Sequence, residues 1–321
     1  MNVAAVVPNH NGERWLDSCL RSLVAQERPF DEVVVVDDGS TDGSREALAR
    51  DWPAVRVVAL GTNRGFAAAA NAGITAAAGC DAVALVNTDV ELALDWLART
   101  AAALEADPAA AAVACKMVSL REAGMLDDCG DFLRRDGVCE QRGHGRRDDG
   151  RWDADGEVFS ACAGAALYRR APLVAAGGFD ERLVAYLEDV DLGLRLRLGG
   201  WRCRYVPAVA RHWGGGSAGA LRAPVTTLVE RNTLLLCARA FPLRWWAGPV
   251  LYRQVAWLVA AVRRGQAGAF LRGAAAAAPL LGAFVRERRA LRRRAVVSTE
   301  MAIPRRPWRG PRAGGHPRSG S

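Results

Sequence analysis

Lysine is almost missing from this sequence: Lys116 is the single one, so every other cation is arginine, a coding bias to which no function attaches. C-x-x-C pairs are missing too. The eight cysteines (Cys19, Cys80, Cys115, Cys129, Cys139, Cys162, Cys203 and Cys237) are scattered among mostly apolar neighbours. That pattern excludes a zinc or disulfide scaffold and reads as buried thiols in a reducing compartment. No basic n-region and no long apolar h-region precede the polar Asn9-His10-Asn11-Gly12, so no signal peptide is expected and the active part should stay in the cytoplasm. Internal repeats are absent, and no apolar run reaches the roughly 18–20 residues that a spanning helix needs. Acids nearly vanish from the last third: residues 213–321 hold 19 arginines and three acids, and the net charge of +8 resides there. What is present is a chain of 321 residues, half of it hydrophobic, which can bury a substantial core without staples.

Apolar runs at Val3–Val7, Val33–Val36, Val55–Leu60 and Ala82–Val86 read as strands buried on both faces. Helix-period segments alternate with them. Trp15, Leu16, Cys19, Leu20, Leu23 and Val24 share one stripe, Ser44–Arg50 follows a capping Ser40-Thr41-Asp42, and Phe66–Ala78 is rich in helix formers. The alternation predicts an α/β domain with a mostly parallel sheet and crossover helices, whose ligands lie at the carboxyl ends of the strands. Residues 118–157 are polar and Gly-rich and read as an excursion over the surface. Beyond it, residues 158–168 are regular, a short helix spans residues 172–176, Glu188–Leu198 is helical, and Arg202–Val206 is a final strand with His212 just past its end. Gly214-Gly215-Gly216-Ser217 reads as a flexible loop.

Four segments carry groups suited to chemistry. Asp37 and Asp38 end a valine strand, where a carboxylate can accept the imide N–H of a pyrimidine; the same residues also read as a solvated turn with an Asp cap. In Asn87-Thr88-Asp89, Asp89 can hold Mg2+ or Mn2+ against a diphosphate, since hard cations prefer carboxylate and phosphate oxygens, although turns produce the same pattern. Glu188, Asp189 and Asp191 open a helix, either as charges that suit its dipole or as a source of a general base. His212 is either a structural hydrogen bonder or a ligand.

In this order the segments resemble the family 2 glycosyltransferases of GT-A fold, notably the bacterial branch with rhamnosyl- and galactofuranosyltransferases. The likeness covers roughly residues 2–240 and rests on collinear pieces. They are Val6-Val7-Pro8-Asn9-His10-Asn11-Gly12, Val36-Asp37-Asp38-Gly39-Ser40-Thr41-Asp42, Asn63-Arg64-Gly65-Phe66 with Asn71, and Asn87-Thr88-Asp89. Gly164-Ala165-Ala166, Gly177-Gly178-Phe179-Asp180-Glu181, Glu188-Asp189-Val190-Asp191, His212 and Glu230-Arg231-Asn232 complete it. The resemblance implies an inverting, metal-dependent transfer of a sugar such as rhamnose or galactofuranose, in cell-surface polysaccharide synthesis. The donor would be a UDP- or dTDP-linked sugar and the acceptor a hydroxyl of a glycan or lipid-linked glycan. By the same resemblance Pro8, Asn11, Asp37, Asn63, Arg64, Gly65, Asn87, Thr88 and Asp89 would bind the nucleotide sugar, and Asp89 and His212 the Mg2+ or Mn2+. Asp189 would be the base with Glu188 beside it, and Gly164 and Ala165 would lie on the acceptor side. Asn87 stands where the family's metal motif has its first aspartate.

Two rival classes remain for comparison. A dinucleotide-dependent oxidoreductase needs G-x-G-x-x-G after the first strand, where this chain has Pro8-Asn9-His10-Asn11-Gly12. A non-catalytic sugar- or membrane-binding module has no use for Asp89, Asp189 and His212 together. The expected organisation is a catalytic domain over residues 1–220, with a nucleotide-binding half to about residue 117 and an acceptor-side half after it. Arginine-rich helices over residues 221–303 and a disordered tail over residues 304–321 would follow. Those helices, with Trp245, Trp246 and Trp257, suit an anionic membrane surface on the inner face of the plasma membrane, or a cap on the catalytic domain. Nucleic acid is not an expected partner.

Overall fold

The computed structural model describes residues 1–214 and 224–305. It divides into two compact units, one of Met1–Phe132, Cys139–Arg222 and Arg294–Val297, the other of Leu133–Val138, Ala223–Arg293 and Ser298–Ser321.

The first unit is a ten-stranded sheet between helices. Its first strands are β1 (Val3–Asn9), β2 (Glu32–Asp37), β3 (Arg56–Ala59), β4 (Ala82–Val86), β5 (Val90–Leu92) and β6 (Ala110–Ser119). They are followed by β7 (Leu126–Asp128), β8 (Asp131–Leu133), β9 (Cys139–Gln141), β10 (Gly156–Val158), β11 (Ala165–Arg169) and β12 (Arg202–His212). The main order is β10-β12-β6-β11-β4-β1-β2-β3, with β5 on β12 and β7 on β6, while β8 and β9 form a separate pair. β1 runs parallel to β2 and β4, and β6 parallel to β12, but β11 lies antiparallel between β4 and β6. Side chains alternate across this layer. Val3, Ala5 and Val7 join one core with Leu16, Leu20 and Leu23 of α1 (Glu13–Val24); Ala4 and Val6 join the other with Ala67, Ala70 and Ile74 of α3 (Phe66–Ala76). Further helices are α2 (Ser44–Asp51), α4 (Trp96–Ala106), α5 (Arg170–Ala175) and α6 (Glu188–Leu198).

Three expectations need correction. β3 is an exposed edge rather than a strand buried on both faces, because no further strand covers it and Val57 faces solvent. Residues 118–157 are a surface excursion only in part: residues 121–124 and most of 144–155 are exposed, but β7 and β10 extend the sheet, and Asp128 and Asp131 are buried. The final strand runs on to His212, which is its last residue, held by pairing with Ser119 and Val90. Of the expected loop after it, Gly215, Gly216 and Ser217 lie outside the described residues, as does the expected tail from residue 306 on.

The second unit is helical: α7 (Val225–Ala240), α8 (Leu243–Trp245), a wider turn of π type (Trp246–Val250), α9 (Leu251–Arg263), α10 (Ala267–Arg294) and α11 (Thr299–Ala302). α10 crosses α7 at close range; a Cβ on Gly273 would lie 2.6 Å from the Thr227 carbonyl oxygen, so only glycine fits there. Arg253 donates from Nη1 to Glu230 Oε2 at 2.9 Å, and both side chains are fully enclosed. Trp245 does not face outward as an interfacial tryptophan: it is buried edge-to-face on Phe241, with the Arg135 guanidinium 4.9 Å above its ring. Part of α10 is, by length and composition, apolar enough to cross a membrane, while Arg272 still interrupts its apolar run.

Candidate active site

The carboxyl ends of β1, β2 and β4 are tied into one rim. Asp38, just after β2, accepts from the backbone N–H of Arg64 at 2.7 Å and of Gly65 at 2.8 Å, one on each carboxylate oxygen. This fixes residues 63–65, and Asn63 Oδ1 adds a 3.1 Å bond from Gly65 N–H. Gly39 takes φ +68°, and a Cβ there would strike the Thr62–Asn63 backbone at 2.6 Å, which accounts for glycine in Asp37-Asp38-Gly39. Asp38 N–H donates to the Asn9 carbonyl at 2.7 Å. Asn11, at φ 53°, accepts from Thr41 N–H on its side-chain oxygen at 2.7 Å and donates its own N–H to Ser40 at 3.0 Å. Thr88 joins β4 to β1 by donating its hydroxyl to the Pro8 carbonyl at 2.9 Å. Against this satisfied frame Asp37 stands out. Its Oδ1 is buried with no hydrogen-bond partner among the described residues, and Arg45 is 3.9 Å from its other oxygen.

The rim continues to β12. Asn87 N–H donates to the Gly164 carbonyl at 2.8 Å, and Trp213 N–H to the Asp89 carbonyl at 3.0 Å. His212 lies between two carboxylates, with Nε2 3.3 Å from Asp89 Oδ1 and Nδ1 2.6 Å from Asp127 Oδ2. Burial opposes its charge, but the bonds to Asp127 and Asp89 outweigh burial and push the imidazole up to about 10. Asp127, also opposed by burial, is lowered by the same histidine.

The third component is the start of α6. Val184, Tyr186 and Leu187 all take positive φ (66°, 67° and 65°), a costly run of left-handed residues immediately before Glu188. Asp189 accepts from Val190 N–H at 2.8 Å and Ala163 N–H at 3.3 Å. Burial nevertheless raises its pKa. Glu188 is 9% exposed, and its Oε2 finds no partner among the described residues. Burial and the neighbouring Asp189 push it up to about 8. Asp191 is engaged elsewhere, holding Arg195 at 2.8 Å, which donates on to the Gly178 carbonyl. Asp128 is also pushed to about 8, chiefly by burial, with Asp127 and Asp189 adding repulsion; Asp131 is raised for the same reason.

Most of the residues singled out in the sequence therefore sit along linked strand ends. Two qualifications apply. Ala165 is buried within β11 opposite Val86, so it shapes the sheet, while Gly164 borders Asn87, Met117 and Cys162. Arg64 reaches Glu181 at 3.2 Å rather than standing alone. Asp127, Asp128 and Asp131 were missed because they lie in the stretch read as surface, where no regular alternation of apolar and polar residues signals a strand. Among the described residues no group of three or more His, Cys, Asp or Glu side chains forms a metal cluster. Asp89 and His212 offer two donors.

The mixed sheet between helices, with Asp37, Asp89 and His212 at its strand ends, has the GT-A fold. Over 91% of this chain and 90% of the other, the fold matches S. aureus TarS residues 1–349, solved with UDP-GlcNAc, at a TM-score of 0.57 and 19% identity. It matches the mannosyltransferase PcManGT from Pyrobaculum calidifontis, solved with GDP-Man and Mn2+, at 0.52 and 21% identity over 90% and 84% of the chains. In sequence, the chain belongs to glycosyl transferase family 2, whose model matches residues 4–174. It is 32% identical, over 268 residues, to the N-acetylglucosaminyl-diphospho-decaprenol L-rhamnosyltransferase of Mycobacterium tuberculosis, covering 76% of this chain and 84% of that protein.

Proposed function

We propose that this glycosyltransferase moves a sugar, rhamnose or a similar hexose, with inversion from a UDP- or dTDP-linked donor to a hydroxyl of a lipid-linked glycan in cell-wall polysaccharide synthesis. The observation that carries this reading is the division between the two carboxyl groups at α6. Asp189 receives two backbone N–H donors, which favour its ionised form against the burial that raises it, whereas Glu188, with one buried oxygen that has no partner among the described residues, is pushed up to about 8. Asp189 then takes the proton from the acceptor hydroxyl as that oxygen attacks the anomeric carbon. Asp37, with its unsatisfied buried oxygen, accepts the imide N–H of uracil or thymine, and the Arg64–Gly65 backbone borders the diphosphate.

Asp89 and His212 fit a divalent cation, Mg2+ or Mn2+, as one oxygen donor and, once Nε2 gives up the proton that it shares with Asp89, one nitrogen donor. When bound, the cation supplies neutralisation of the charge developing on the departing diphosphate. Asn87 leaves this site one carboxylate poorer than an Asp pair. The test is nucleoside diphosphate release by the purified full chain over a panel of UDP- and dTDP-sugars, with a polyprenyl-diphosphate glycan as acceptor, in Mn2+ and in EDTA. Release confined to one donor class and lost in EDTA supports the reading; no release with any donor returns the chain to the binding-module class.

The same reading places the enzyme on the cytoplasmic face of the membrane. Leu251, Tyr252, Val255, Val259 and Val262 are exposed along one face of α9. Among the described residues the acids of the second unit are each bonded to an arginine, Asp136 to Arg134, Glu230 to Arg253, Glu287 to Arg239 and Glu300 to Arg244. Arg263, Arg264, Arg272, Arg286 and Arg289 are left at the surface. An exposed apolar face on a helix that ends in Arg263 and Arg264, in a unit with further exposed arginines, suits anionic lipid. A second copy, equally basic, would be repelled. In-plane binding accords with α10, whose Phe270, Gly273, Ala277 and Phe284 are buried within the unit.

A further inference from the structure

We infer that Asp127 is the positioning residue for His212, fixing which ring nitrogen is presented toward Asp89 and in what direction. The inference rests on the metal reading of Asp89 and His212 given above.

An imidazole can ligate through only one nitrogen in a given orientation, and the hydrogen bond made by the other nitrogen decides which. Asp127 Oδ2 lies 2.6 Å from Nδ1, so that N–H is committed to the carboxylate and Nε2 is the nitrogen aimed at Asp89. The sheet sets this contact. The end of β6 pairs on one side with β12, placing His212 beside Ser119, and on the other with β7, where Leu126 pairs with Val118 and Asp128 with Met117. Asp127 and His212 are therefore two strand spacings apart, roughly 9–10 Å between backbones, and their side chains meet across β6. The register shift in this pairing, between Met117 and Val118, puts Asp127 at an irregularity of β7, half-buried between the buried Leu126 and Asp128. Its backbone is held as well: the Asp127 carbonyl accepts from His144 Nδ1 at 2.7 Å. A charged, well-anchored partner of this kind orients the ring and raises the basicity of the opposite nitrogen.

The probe is Mn2+ itself, titrated into the full chain with UDP present and followed by electron paramagnetic resonance, with spin-echo detection of nitrogen coupled to the ion. Asp127→Ala should weaken Mn2+ binding by about 10–100-fold and diminish the nitrogen coupling. Asp127→Asn, which keeps an acceptor oxygen and the side-chain shape, should weaken it less. In a His212→Ala background, Asp127→Ala should add nothing, whereas a merely structural role would still cost affinity. Wild-type binding and full nitrogen coupling in Asp127→Ala, beside weakened binding in His212→Ala, would overturn the inference and leave the metal reading standing. Wild-type protein that binds no Mn2+ would overturn the metal reading and this inference with it.

Discussion

The two sides of the candidate site differ in how their polar groups are satisfied. Along the ends of β1, β2 and β4, Asn11, Asp38, Asn63 and Thr88 spend their hydrogen bonds on backbone groups of neighbouring strands and loops, leaving Asp37 as the group held back. On the α6 side, Glu188, Asp128 and Asp131 are raised by burial and by the charge of Asp189, Asp189 is raised by burial, and Glu188 and Asp128 each keep an oxygen without a partner among the described residues. A frame of satisfied bonds holds a ligand in place at low cost. Crowded carboxyl groups destabilise their own charged forms and thereby create a proton acceptor. In the proposed reaction the first side supplies geometry and the second reactivity, and each half of that contrast can be tested.

The largest expected effect is on the frame. Asp38→Ala removes the buried acceptor of two part-buried backbone N–H groups and should cost about 2–4 kcal/mol in urea unfolding. A loss below 0.5 kcal/mol, on the order of an ordinary surface change, would mean the rim is not held as described. Glu188→Gln should act in the opposite direction. The Glu188 carboxyl is raised from its ordinary 4.5 to about 8, so the folded state is penalised progressively as pH rises through that window. The variant should therefore be more stable than wild type at pH 8, by on the order of 1–3 kcal/mol, with the gain fading toward pH 4. A gain independent of pH would assign the effect to packing instead. Asp37→Ala should raise the donor KM by roughly tenfold, about one hydrogen bond to a charged group, with little change in kcat. The smallest effect concerns the second unit. Val255→Glu with Val259→Glu should reduce flotation with anionic vesicles while leaving nucleoside diphosphate release unchanged on a soluble acceptor. Equal flotation of both proteins would remove α9 as the membrane face.

Much of the frame was legible in the sequence because it is built locally. Buried parallel strands read as valine runs, and each is followed at once by the turn that carries its polar residues, as in Val36-Asp37-Asp38-Gly39. The α6 side was legible only in part. Glu188 and Asp189 announce themselves at a helix start, but Asp127, Asp128 and Asp131 depend on three-residue strands whose pairing comes from distant segments, which no local pattern encodes. β3 misled for the converse reason: an edge strand and an internal strand have the same composition here, and only the absence of a neighbour distinguishes them. Trp245 was read from its residue type as interfacial, whereas Phe241 and Arg135 provide it with a buried site.

The contrast between the two sides is tested most directly by Asp189→Asn, with donor binding by calorimetry and transfer by nucleoside diphosphate release measured on the same preparation. Donor affinity should stay within about twofold of wild type while kcat falls by roughly 10²–10⁴-fold, the usual contribution of a positioned base. Undiminished turnover in that variant would contradict the account.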